Sequence, residues 1–82
     1  MEHVIVERTF PTPQSVEDIR ALKERLASCM DQNRIRYIQG YLSLDQTRMI
    51  CIYEAPDAEA VRRYSLQAAL PFDRIWTASP VV

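Results

Sequence analysis

Apolar residues along this chain recur at spacings of two in some stretches and of three to four in others, and the two patterns alternate. His3 to Thr9 (HVIVERT) alternates and is rich in β-branched residues, which predicts a strand. Phe10-Pro11-Thr12-Pro13 closes it, because proline removes a backbone donor and biases its predecessor away from helix. Val16, Ile19, Leu22, Leu26, Cys29 and Met30 then recur at steps of three and four, so a helix is expected from Ser15 to about Asp31. Ser15 is its expected N-cap, with Glu17 and Asp18 in the first turn to suit the dipole. Arg34 to Ser43 and Arg48 to Glu54 read as two strands of a hairpin turning at Leu44 to Thr47. Asp57 caps a second expected helix, with Val61, Tyr64 or Ser65, and Ala68 on one stripe, ending near Leu70-Pro71. Phe72 to Ala78 is the last strand.

The order β-α-β-β-α-β predicts an α+β, ferredoxin-like domain over residues 1–82: two β-α-β halves joined by a hairpin. Right-handed crossovers then put both helices on one face of a four-stranded antiparallel sheet in the order 4-1-3-2.

Composition narrows the chemistry. The chain has 82 residues, one Gly, one His and two Cys, with a formal net charge of -1. One glycine leaves no phosphate-cradling loop, and Cys29 and Cys51 form neither a CxxC pair nor a four-thiolate zinc site. No basic run marks a nucleic-acid surface, and no apolar stretch approaches the ~20 residues of a membrane span. MEHVIVERTF lacks the features of a signal peptide, so a cytoplasmic address and reduced thiols are expected.

Strand side chains alternate between faces. The more uniformly aliphatic sets are Val4 and Val6, Ile38 and Leu42, Ile50 and Ile52, and Ile75; they are expected beneath the helices. The open face would then carry His3, Ile5, Glu7, Tyr37, Gln39, Tyr41, Ser43, Met49, Cys51, Tyr53, Phe72, Arg74 and Trp76. That set is aromatic and amphipathic, as in interface cores. It suits first a homodimer interface, and second two such faces enclosing a cavity that binds a small molecule. Gly40 is expected to face the helices, where a close helix approach would account for it.

Three stretches, VERTFP (Val6 to Pro11), CxYEAPDxEAVR (Cys51 to Arg62) and Pro71 before the last strand, resemble a family of short bacterial nickel-binding-like proteins of the ferredoxin-like kind. The resemblance spans essentially the whole chain. It implies a homodimer of the α+β-barrel type and nickel or another divalent transition metal as cofactor. Glu7, Arg8, Tyr41, Cys51, Tyr53, Glu54 and Asp57 match the family pattern, whereas Gln39 and Tyr64 stand where it usually has histidine.

The candidate metal ligands are His3 and Cys51. Thiolate, imidazole and carboxylate together suit nickel or zinc. His3 and Glu7 lie ~13 Å apart along a strand at ~3.3 Å per residue, so an ion would need Cys51 or a second subunit to complete its shell. The candidate catalytic residues are Glu7, as a general base, and Tyr53, as a hydroxyl polarising a carbonyl. The structural alternative pairs Glu7 with Arg74 on the neighbouring strand. Tyr37, Gln39, Tyr41, Arg74 and Trp76 are the candidate ligand-binding residues. The function expected is a small cytoplasmic ligand-binding dimer, by resemblance a nickel or other metal binder. The alternatives are a cofactor-independent isomerase, lyase or monooxygenase using Glu7 in a dimer cavity, and a purely structural dimer module.

Overall fold

Both helices start where local hydrogen bonding dictates. Ser15 Oγ accepts from the Asp18 backbone N–H at 3.0 Å, and the Asp18 carboxylate accepts from the Ser15 N–H at 2.9 Å. This reciprocal box opens α1 (Val16–Gln32) and satisfies donors the helix itself leaves unpaired. Asp57 does the same for α2 (Ala58–Gln67) by accepting from the Ala60 N–H at 2.8 Å. The structure, a computed structural model, describes residues 1–81.

The strands are β1 (Glu2–Thr9), β2 (Arg36–Leu42), β3 (Arg48–Ala55) and β4 (Arg74–Ala78), in the order β2-β3-β1-β4. Every neighbouring pair is antiparallel. This is the β-α-β-β-α-β arrangement expected, with ends moved by two residues or so. The second helix stops earlier than expected, at Gln67, and β4 starts later, at Arg74. Among the described residues no helix is long and apolar enough to cross a membrane.

Chain reversals fall on residues other than glycine. Arg34, Gln46 and Ala69 all adopt left-handed backbone conformations, with φ of 59°, 64° and 54°. Ala69 follows the end of α2, where Leu70 N–H returns to Ser65 O at 2.9 Å.

The core lies between the helices and one sheet face, and the register decides which residues enter it. Val4 stands opposite Tyr53, Val6 opposite Cys51 and Arg8 opposite Met49. All six are buried. Ile50 and Ile52, which stand opposite Glu7 and Ile5, therefore lie on the open face. The expected assignment of β3 is reversed: Met49, Cys51 and Tyr53 are inside and the isoleucines outside. The reason is Arg8, which is in phase with Val4 and Val6 and is only 2% exposed. A buried guanidinium requires hydrogen-bond acceptors. The Tyr53 hydroxyl supplies one, as isoleucine could not.

The second correction concerns β2. Its register with β3 jumps between Tyr37 and Gln39, leaving Ile38 as the extra residue of a bulge. Before the bulge Tyr37 shares the covered face with Tyr53, their rings edge to face at 5.7 Å. After it Gln39 and Tyr41 point to the open face, as expected. Ile38 is not a core residue; it is 39% exposed. Phe72 also leaves the open-face set: it precedes β4 and packs against the core.

Candidate functional site

The open face is three rows of side chains crossing the sheet. One row runs Tyr41, Ile50, Glu7, Arg74; the next runs Gln39, Ile52, Ile5, Trp76; the third carries Glu54, His3 and Ala78. Trp76, Ile50 and Tyr41 are 47%, 44% and 63% exposed, so the middle of this face is apolar and uncovered. The Arg36–Glu54 ion pair, at 2.9 Å, borders it at one end.

At the hairpin end the face drops into a groove of about 340 Å³, lined by Glu7, Tyr41, Ser43, Arg48, Ile50 and Asp73 among others. That volume reaches the lower range of small-molecule sites. Glu7 is fixed in it by Trp76, whose indole N–H donates to Glu7 Oε2 at 3.0 Å. Asp73 is fixed by the Thr9 hydroxyl, which donates to its carboxylate at 2.7 Å. The floor of the hairpin is held by Asp45, which accepts from Ser43 and Thr47 hydroxyls at 2.7 and 2.8 Å. These bonds, Ser43 foremost, lower the Asp45 carboxyl below its ordinary value. The groove thus presents two positioned carboxylates and the guanidinium groups of Arg48 and, at its inner end, Arg8 around an aliphatic and a phenolic wall.

Of the expected ligand-binding residues, Tyr41 lines this groove, while Arg74 and Trp76 flank Glu7 and Gln39 shares Trp76's row. Tyr37 does not join them; it lies on the other side of the sheet. Tyr53 is also there, buried, so a Glu7–Tyr53 acid–base pair does not form within one chain. Nor does Glu7 form an ion pair with Arg74; its partner is Trp76.

The expected metal ligands separate in the same way. His3 is on the open face beside Glu54, and Cys51 is buried on the covered face. Among the described residues no three His, Cys, Asp or Glu side chains gather as an ion would require. The donor set of a single chain does not fit nickel.

The covered face holds a group that the sequence marks only as a match to the family pattern, with no site role expected for it. Arg8 donates to Tyr53 Oη at 3.0 Å, Ser65 Oγ at 3.4 Å and Pro71 O at 2.9 Å. All three acceptors are neutral. Moving a charged group out of water costs several kcal/mol even after relaxation, and a facing charge normally offsets this. The phase of Arg8 with Val4 and Val6 was the available signal. Around it desolvation raises the Tyr53, Tyr64 and Tyr37 hydroxyls above their ordinary pKa, Tyr37 to about 12.

A four-stranded antiparallel sheet with two helices on one face, in the order β-α-β-β-α-β, defines a ferredoxin-like α+β domain. The chain belongs to the nickel responsive protein SCO4226-like family, whose model matches residues 5–77. It is similar to the crystal structure of SCO4226 from Streptomyces coelicolor A3(2), with a TM-score of 0.84 at 16% identity, covering 98% of this chain and 99% of that one. At that identity the likeness shows the shared fold. No curated protein matches the chain.

Proposed function

We propose that this protein is a small ligand-binding homodimer, in which two open sheet faces meet and a small polar molecule occupies the groove at Glu7. The observation that carries the reading is the uncovered row Ile52, Ile5 and Trp76 beside that groove. A sheet buries a face only against another layer, and here the second layer is absent from the single chain. Aromatic and aliphatic residues ringed by Arg36, Glu54, Arg74 and Glu7 have the composition of an interface with a polar rim. Within the groove Glu7 and Asp73 face a ligand's donor groups, and Arg48 faces an acceptor. The reading assigns the groove an organic ligand rather than nickel, because the imidazole and the thiol stand on opposite sides of the sheet.

Sedimentation of the chain at micromolar concentration tests it. The expected result is twice the chain mass for the natural sequence and a folded monomer for Ile52→Lys. A natural chain that sediments as a monomer overturns the proposal.

A further inference from the structure

The space beneath α1 holds cations and no anions. Of this helix only Met30, in its last turn, is fully buried; Ile19, Leu22 and Leu26 are half-buried. An inner cavity of about 30 Å³, enough for one water-sized group, lies there against Arg8 and Cys51. An outer groove of about 490 Å³ runs between α1 and β2, with Arg20 and Lys23 on its wall. Tyr37 lines both, and so stands between them. Among the described residues none of the side chains lining either space is acidic, and none of Arg8, Arg20 and Lys23 has a carboxylate partner. The remaining wall is mostly aliphatic.

From this arrangement we infer a second binding site that takes a small amphipathic carboxylate between α1 and β2; it shares Arg8, Leu42 and Met49 with the wall of the groove at Glu7 but has its own head-group position at Tyr37 and Lys23. The carboxylate head lies at Tyr37 and Lys23, drawn inward by the uncompensated charge of Arg8, and the apolar body lies against Ile19, Leu42 and Met49.

Three features support it. A guanidinium stays charged throughout the accessible pH range, so the positive potential behind Tyr37 is permanent. Burial pushes the Tyr37 hydroxyl up to about 12, so it keeps its proton and can donate it to an anion. Tyr37 is also fixed in place: its hydroxyl lies against Gly40 in the space a Cβ would fill, and Lys23 Nζ covers its ring at 3.8 Å. Head-group recognition by a charge in an apolar slot is the usual economy of small-ligand sites. Tyr37 and Lys23 lie on the helix-covered side of the sheet, so the head-group position does not depend on two copies pairing across the open face.

The test is titration of the full isotope-labelled chain with hexanoate, hexanol and hexylamine, followed by amide shifts. Hexanoate is expected to give saturable shifts confined to α1, β2 and the Arg8 strand, with hexanol at least roughly tenfold weaker and hexylamine weaker still. The double variant Arg20→Gln/Lys23→Gln replaces one exposed and one half-buried cation, Lys23 lining both spaces, so it should stay folded and bind hexanoate roughly tenfold less tightly. Equal binding of hexanol and hexanoate overturns the inference. So do shifts centred on Glu7, an unaffected double variant, or no saturation by about 10 mM.

Discussion

Glu7 accepts its hydrogen bond from Trp76, two positions along β4, although Arg74 stands directly opposite it in the register. Diagonal neighbours on an antiparallel pair are within reach of long and aromatic side chains. The indole therefore spans the diagonal, and Arg74 is left to solvent. Trp76→Phe keeps the ring and deletes the donor. It should lower stability by about 0.5–1.5 kcal/mol, measured from the urea midpoint by circular dichroism at one fixed protein concentration. Glu7→Gln retains an acceptor and should cost less. A Glu7→Gln loss larger than that of Trp76→Phe would show that Glu7's partner is a cation after all.

Gly40 is needed for a neighbouring side chain rather than for its own backbone angles. A Cβ there would overlap the Tyr37 hydroxyl and approach Met49 Cε to 2.8 Å. The expected close approach is real, but its cause is Tyr37 and not a helix. Gly40→Ala should destabilise by about 1–3 kcal/mol through overpacking. Adding Tyr37→Phe removes the overlapping oxygen and should recover much of the loss. Simple additivity of the two changes in denaturation would contradict the contact.

Alkali should unfold the protein in a defined window. Desolvation holds the Tyr53, Tyr64 and Tyr37 hydroxyls above their ordinary value, so the unfolded chain gives up these protons first, near pH 10. Stability is then complete below about pH 10 and falls as pH rises towards about 12, the folded value of Tyr37. Chemical denaturation at points across that range should show the fall, and Tyr37→Phe should make it shallower. A flat profile would mean that these hydroxyls are not desolvated.

Ala69 carries a left-handed backbone, φ 54°, at the end of α2, at a cost of about 1 kcal/mol relative to glycine. Ala69→Gly should raise the thermal midpoint, whereas Ala68→Gly, at φ -85°, should lower it. Equal effects at the two sites would contradict the assigned conformations.

Nickel should not bind to a single chain through His3 and Cys51, which the sheet keeps apart. Calorimetric titration of untagged protein should give the same weak response for Cys51→Ser as for the natural sequence. A loss of nickel affinity in that variant would place the thiol in a metal shell.

The order and kind of the elements were legible because each has its own punctuation: Ser15 and Asp57 as caps, and proline at the ends of β1 and β3. The faces of β1 and β4 were legible as well. Those of β3 were not, because aliphatic content is a guide only when one face is polar, and here both faces are apolar. Ile50 and Ile52 look like core residues and Tyr53 looks like a surface one. What reverses them is the acceptor demand of Arg8, a residue on a different strand. The groove at Glu7 was half legible: Glu7 and Tyr41 were singled out, but Asp73 and Arg48 were not. Those two come together only through register.

The bulge at Ile38 works like a one-letter insertion in a two-letter code. On its near side β2 spells the site beneath α1, with Tyr37; on its far side it spells the open face, with Gln39 and Tyr41. Removing Ile38 would restore strict alternation with both ends on the faces they now hold, whereas pairing Ile38 as an ordinary strand residue would turn Tyr37 to the same face as Gln39 and Tyr41. Relatives with one residue more or fewer here should therefore be compared face by face, since an alignment that slides past the bulge equates side chains on opposite sides of the sheet.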